Sequence, residues 1–176
     1  DLDLILTQVA QAPCTMLDAD QASIALFDEE DARLSVVSAA GLDRPPADHT
    51  PWPVDESSLA AILPALEAGR PRVIQARPDL DALPGTLIGT QPPGAIGSAV
   101  AIPLRLDEAP LGLLTAAFQE ARAFTEEDLT FLSALGQEAQ LAIRNARLFE
   151  REREQVTRLR ALEQLQAGFV HTVSHE

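Results

Sequence analysis

The residues best suited to chemistry stand at the end of the chain, in Phe169-Val170-His171-Thr172-Val173-Ser174-His175-Glu176. An imidazole keeps one ring nitrogen unprotonated and nucleophilic near neutral pH. The carboxylate of Glu176 can hold the proton on the other nitrogen of His175. His171 and His175 are four residues apart, a spacing that can set two imidazoles on one metal ion. Position 172 is not Glu and no third ligand is evident, so a solvated helix face is the better reading and no metal is expected. The rest of the inventory is narrow. All 13 basic residues are Arg, which removes Schiff-base and P-loop lysine chemistry. The one Cys, Cys14, cannot make an intrachain disulfide or a Cys-based zinc cluster and reads as a small core residue.

Composition narrows the function classes further. The 176 residues suit one ordinary domain with a short extension, and 46% apolar content can fill a core. The 27 acidic residues against 13 Arg give a net charge of -14. Binding to a nucleic-acid backbone or an anionic lipid surface needs a cationic face, so neither is expected. No apolar run reaches membrane-spanning length, no basic-then-apolar leader opens the chain, and a lone Cys suits a reducing compartment. The chain starts at Asp1 without Met and stops at Glu176, so it reads as a piece of a longer cytosolic or cytosol-facing protein.

Charge and proline divide the chain near residue 121. Residues 1–120 hold six Arg against 18 carboxylates, or -12, and all the prolines. Residues 121–176 hold seven Arg against nine carboxylates, or -2, and no proline. In the first part, Leu4, Ile5, Val9, Met16 and Leu17 predict an amphipathic helix. Ala22–Phe27 and Leu34–Ala40 predict a strand pair across the turn Asp28-Glu29-Glu30-Asp31. Residues 43–54 read as a Pro-rich loop. Ser57 or Ser58 caps a helix running to Ala68, with Pro64 as a kink and Gly69 as its stop. Arg72–Gln75 is a short strand, and residues 76–97 are Pro- and Gly-rich with one helical turn. Ser98–Leu106 and Leu111–Phe118 are strong strands, apolar enough to be covered on both faces.

Thr125 followed by Glu126, Glu127 and Asp128 is a helix start, with a capping hydroxyl and carboxylates in the positive first turn. About 50 residues of helix extend roughly 75 Å, more than one small domain can bury. Leu135, Ala139, Ala142, Ala146, Phe149 and Val156 keep alternating steps of four and three, with Arg153 as the one polar intruder, and Leu159, Leu162, Gln166, Phe169 and Val173 continue in a displaced phase. These spacings predict a heptad seam with a three-residue stammer between Arg153 and Leu162. The expected partner is a second copy, as a parallel homodimer along Leu135–Val173.

The terminal segment resembles the first half of the H-box of sensor histidine kinases, in which a Phe and a Ser-His-Glu triplet sit on a dimeric helical hairpin. The resemblance implies that His175 accepts a phosphoryl group from ATP and passes it to a response-regulator aspartate. Glu176 then matches the acidic neighbour that acts as base or orienter. The chain ends before the Leu-Arg-Thr-Pro continuation. It carries no Gly-rich phosphate loop or Asn-rich nucleotide box, so ATP and Mg are expected only with the kinase catalytic domain of a parent protein.

The first 150 residues resemble a GAF domain. The match runs in order through Leu17-Asp18-Ala19-Asp20, Ala22 to Asp28, Ser57-Ser58-Leu59, Glu67-Ala68-Gly69-Arg70-Pro71, Gly97 to Leu104, Leu111-Gly112-Leu113-Leu114, Phe124-Thr125-Glu126-Glu127-Asp128 and Ala142 to Glu150. It implies an α+β, PAS-like antiparallel sheet, terminal helices on one face and a small-molecule pocket on the other. The domain division is then 1–150 for the sensory domain and 151–176 for the coiled-coil linker and the start of the phosphoacceptor helix. Trp52, in the Pro-rich loop, with Ile62 and Ile88, is a candidate for lining that pocket.

The named ligands of the family find no match. Where haem-binding members carry a ligating His, this chain has Gln91, Pro92 and Pro93, and His49 lies in a different loop. A bilin needs a chromophore Cys and an Asp-Ile-Pro signature, where this chain has Cys14 on the first helix and Ala101-Ile102-Pro103. Cyclic-nucleotide binding uses a lysine, and methionine-sulfoxide reduction uses several cysteines. No cofactor is evident and the ligand is left open. The reading is a cytoplasmic sensor fragment of a two-component kinase. The alternatives are a ligand-free dimerisation module and a GAF sensor coupled to a cyclase, a phosphatase or a transcription activator.

Overall fold

The computed structural model describes residues 2–27, 33–41, 52–54, 64, 66–75, 77–81, 95–106 and 109–173, and the side chains of these except 52, 53, 77, 78 and 166–173. Helix α1 spans Leu2–Met16 and buries Leu6, Val9, Ala10 and Pro13 on one stripe. Six strands follow: β1 Gln21–Phe27, β2 Leu34–Ala40, β3 Trp52–Pro53, β4 Arg72–Ile74, β5 Ser98–Leu106 and β6 Ala109–Phe118. Helix α2 is the single turn Arg77–Asp81, and α3 runs unbroken over Glu126–Val173.

The strands form one antiparallel sheet in the order β3-β2-β1-β6-β5-β4. The strongest apolar strands, β1, β5 and β6, take its middle, where both faces are buried. Pro103 fits in β5 because β4 pairs only with Ala99–Ala101, so the missing N–H has no ladder to break.

Two expectations are corrected. The stretch read as loop over 43–54 contains β3, in which Trp52 and Pro53 pair with Val36 and Ser35. A Trp-Pro pair preceded by Pro51 carries no periodicity, so only the tertiary pairing makes it a strand. The last strand begins at Ala109 rather than Leu111, with Pro110 opposite Arg105 beside a register shift at Leu104/Arg105, a position that tolerates proline. Residues 66–68 are helical, and Gly69 ends them at a φ of +61°, a conformation favoured for glycine.

The chain divides into two compact units, Asp1–Leu141 and Ala142–Glu176. Within the first, α1 and residues 126–141 of α3 cover one face of the sheet. A Cβ on Gly136 would come to 3.0 Å from Ile102 Cγ2 and 3.4 Å from Leu104 Cδ2, so glycine is what lets the helix lie this close to β5. The opposite face carries a separate cluster in which Ala25, Val36, Ala99, Ala101 and Leu113 meet Leu66, Leu80 and Ile96.

Candidate functional site

His175 and Glu176 lie outside the described residues, as do Ile62 and Ile88. Trp52 is described by its backbone alone, at the β3 position opposite Val36. Val36 belongs to the cluster on the sheet face away from the long helices.

That sheet face is the first candidate site. Strand alternation puts Gln21, Ser23 and Ala25 of β1 on it, beside Leu113, Thr115 and Ala117 of β6 and Ala99 and Ala101 of β5. Gln21 and Thr115 are 3% and 1% exposed. Gln21 Oε1 and Thr115 Oγ1 have no hydrogen-bond partner. Buried polar atoms are nearly always paired, and the run of small residues around these two had suggested only a packed strand.

The second candidate is the connector from β6 into α3, where the sequence marks the helix start at Thr125 but not the part played by Arg122. Thr125 and Asp128 make a reciprocal cap. The Asp128 N–H donates to Thr125 Oγ1 at 3.1 Å, and the Thr125 N–H donates to Asp128 Oδ2 at 3.0 Å. The helix start read from these residues is therefore present in its full hydrogen-bonded form. Arg122 ties the cap to the rest of the unit. Its guanidinium donates to the Leu17 carbonyl at 2.9 Å and pairs with Asp128 Oδ2 at 2.8 Å. It also lies 4.9 Å and 5.3 Å from the ring centres of Phe118 and Phe124, which meet edge to face at 5.4 Å. The Thr125 N–H first, and the Arg122 charge after it, hold the Asp128 carboxyl below its ordinary value against the opposing effect of burial.

The backbone of this connector is held from several sides. Gln75 Nε2 donates to the Arg122 carbonyl at 2.6 Å, Ser98 Oγ to the Glu120 carbonyl at 3.0 Å, and the Gln119 N–H to Asp20 Oδ2 at 2.7 Å. Gln75 follows Ile74, a member of the sheet-face cluster. One residue therefore separates that face from the peptide that leads into α3.

The second unit is the remainder of α3. Leu148, Phe149, Val156, Leu159, Leu162 and Leu165 are all exposed on it, Phe149 by 68%. Ala139, which periodicity alone assigns to the first seam, is fully buried in the first unit and has no surface left for a second chain. Leu141, Leu148, Leu159 and Leu162, all exposed, fit a second phase, while the exposed Phe149 and Val156 belong to the first and Leu165 to neither. Positions 141, 145, 148, 152, 155, 159 and 162 alternate steps of four and three without interruption, and 166, 169 and 173 continue them. This register contains no stammer.

Other groups offer less. Burial first, and the Asp20 carboxylate second, push the half-buried Cys14 thiol up, which disfavours the reactive thiolate. Among the described residues no group of three His, Cys, Asp or Glu side chains is placed to hold a metal ion. Two solvent-open hollows of about 320 and 440 Å³ share Glu126 and Thr130 on the first turns of α3, and neither touches the sheet face or the connector.

The fold is thus an α+β antiparallel sheet with helices and a long C-terminal helix. The GAF-domain profile matches residues 1–144, and the chain belongs to the GAF family. The second GAF domain of DevS from Mycobacterium smegmatis is 26% identical, with a TM-score of 0.60 over 86% of this chain and 99% of that one. The GAF domain of a phosphoenolpyruvate-protein phosphotransferase from Coxiella burnetii is 20% identical, with a TM-score of 0.70 over 85% and 86% of the two chains. A domain assigned to a two-component sensor histidine kinase protein from Sinorhizobium meliloti 1021 is 17% identical, with a TM-score of 0.62 over 87% and 97%. These last two likenesses show the fold. No match is found among curated protein sequences.

Proposed function

We propose that this GAF chain is the sensing and relay portion of a two-component histidine kinase, with His175 as phosphoacceptor. One observation carries the reading. A single helix runs without a break from the capped start at Thr125 to Val173, two residues short of His175, and its first turns lie on the sensor sheet. A change in the sheet that moves the capped end is relayed along this helix toward His175. The kinase neighbour of like fold agrees with this context.

The helix pairs with a second copy of itself. In the register of the exposed leucines, Leu141, Leu148, Gln155, Leu162 and Phe169 take one core position, and Asn145, Glu152, Leu159, Gln166 and Val173 take the other. A polar Asn in the second position favours two parallel strands in fixed register. Arg158 then stands where a parallel dimer sets it against Glu163 of the partner subunit. A neutral nitrogen of His175 attacks the γ-phosphorus of ATP held by the parent's catalytic domain. The N–P bond forms, the bond to ADP breaks, and Glu176 holds the proton on the other ring nitrogen. A response-regulator aspartate is the next acceptor, and the setting is the cytoplasm.

Supplying the purified chain with a histidine-kinase catalytic domain and labelled ATP tests the assignment. Wild type should take acid-labile label, and His175→Gln should take none. Label retained on the Gln variant rules out His175 as the acceptor.

A further inference from the structure

Arg122 stands between the end of one terminal helix and the start of the other. The last turn of α1 carries no basic residue, so its carbonyls, the negative end of that helix, have no local cation. Arg122 supplies one from 105 positions away, with Nη1 donating to the Leu17 carbonyl just past the helix end at 2.9 Å. The same end folds back on itself. The N–H groups of Leu17 and Ala19 both donate to the Pro13 carbonyl, and Asp18 between them is held at a φ of +55°.

On the other side one atom has two donors. Asp128 Oδ2 accepts the Thr125 N–H, which belongs to the cap of α3, and also Arg122 Nη2. Cap and bridge therefore share an acceptor, and displacing that carboxylate disturbs both. The root of the Arg122 side chain is pinned meanwhile. Its N–H donates to Ser98 Oγ at 3.4 Å, and its carbonyl accepts Gln75 Nε2 at 2.6 Å. A Cβ on Gly97 would come to 2.4 Å from the Ala121 nitrogen, so the peptide before Arg122 lies directly on the residue that leads into β5. The guanidinium is thus held from behind while each arm of its planar fork holds one helix end.

We propose that Arg122 couples the two helix ends, so that loosening either one loosens the other. The end of α1 then acts on the start of α3 by a path that does not run through the sheet-face cluster of Ala25 and Leu113. The coupling deepens the reading of α3 as the relay, and rests on that reading only for its consequence at His175.

Amide hydrogen exchange on the full chain, read by NMR, tests it. Thr125→Ala removes the hydroxyl that accepts the Asp128 N–H and alters no atom of α1. It should speed exchange about 3- to 10-fold, the scale of one hydrogen bond, at Asp128 and Leu129 and also at Leu17 and Ala19. Ile24 and Leu114, in the middle of the sheet, should keep their rates. In an Arg122→Leu background the same substitution should act on Asp128 and Leu129 alone, because the link to α1 is gone. If the leucine variant does not fold, Arg122→Lys takes its place, and the effect on Leu17 and Ala19 should shrink because an ammonium lacks the fork. A Thr125→Ala effect confined to α3 in the otherwise wild-type chain overturns the proposal. So does acceleration at Leu17 and Ala19 that persists undiminished in the Arg122 variants, or that extends to Ile24 and Leu114. None of these outcomes depends on label at His175, so the coupling and the phosphoacceptor assignment stand or fall separately.

Discussion

Arg122 places one guanidinium among the Leu17 carbonyl, the Asp128 carboxylate and two aromatic rings. Replacing it with Ala strands the partly buried carboxylate and frees the end of α1. The expected cost is about 2 kcal/mol in denaturant unfolding, the scale of a hydrogen-bonded charge. Arg122→Lys should recover only part of it, since an ammonium lacks the planar fork that reaches two acceptors. Asp128 sets a pH dependence. Its folded carboxyl titrates below the ordinary 3.8. The stability it contributes is therefore complete above about pH 4 and is lost as pH falls through the lower folded value. Asp128→Asn should be less stable at pH 7 and show a shallower loss of stability in acid, measured by chemical denaturation from pH 7 to pH 2.

At the scale of the element, α3 has two jobs along its length. Residues 126–141 use Leu132, Gly136 and Ala139 to lie on the sheet. Beyond them the helix leaves six large apolar side chains exposed. A helix this polar and this long is not stable through propensity alone, and the proposed pairing with a second copy would supply the missing burial. Leu148→Asp with Leu162→Asp should convert the dimer to monomer in sedimentation equilibrium, while the near-ultraviolet spectrum of the sheet unit stays unchanged. Arg158→Glu should weaken the dimer several-fold, and adding Glu163→Arg should restore it. Restoration is expected only for the parallel register that opposes these two positions. An antiparallel pair would leave the double variant as weak as the single one.

For the whole molecule, charge is the dominant feature. The net charge is -14, and -12 of it falls in residues 1–120. Self-repulsion of that size opposes compaction and is screened by salt. The unfolding midpoint should rise as sodium chloride goes from about 20 mM to about 500 mM, where the Debye length falls to a few ångströms. A flat or falling midpoint in calorimetry would mean that ion pairs such as Arg122–Asp128 outweigh the repulsion. No helix among the described residues is long and apolar enough to span a bilayer.

What the amino-acid order determines by itself is local. Short apolar runs over 22–27, 98–106 and 111–118, bounded by turn residues, specify central strands buried on both faces, and 34–40 specifies a strand with partial alternation. The Thr125 cap is legible because both partners lie within four residues. The family was readable for the same reason, as a succession of local signals in a fixed order, and the match to residues 1–144 agrees with it. The tertiary structure alone decides whatever depends on distant partners. Arg122 meets Leu17 across 105 positions, so no window along the chain reveals it. The two-residue β3 exists only because β2 is there to pair with it. That Gln21 Oε1 and Thr115 Oγ1 are buried without a hydrogen-bond partner appears only when β1 and β6 lie side by side. Heptad spacing fits several stripes of α3, and only the tertiary structure shows that Ala139 is spent on the chain's own core while Phe149 and Val156 of the same stripe stay exposed.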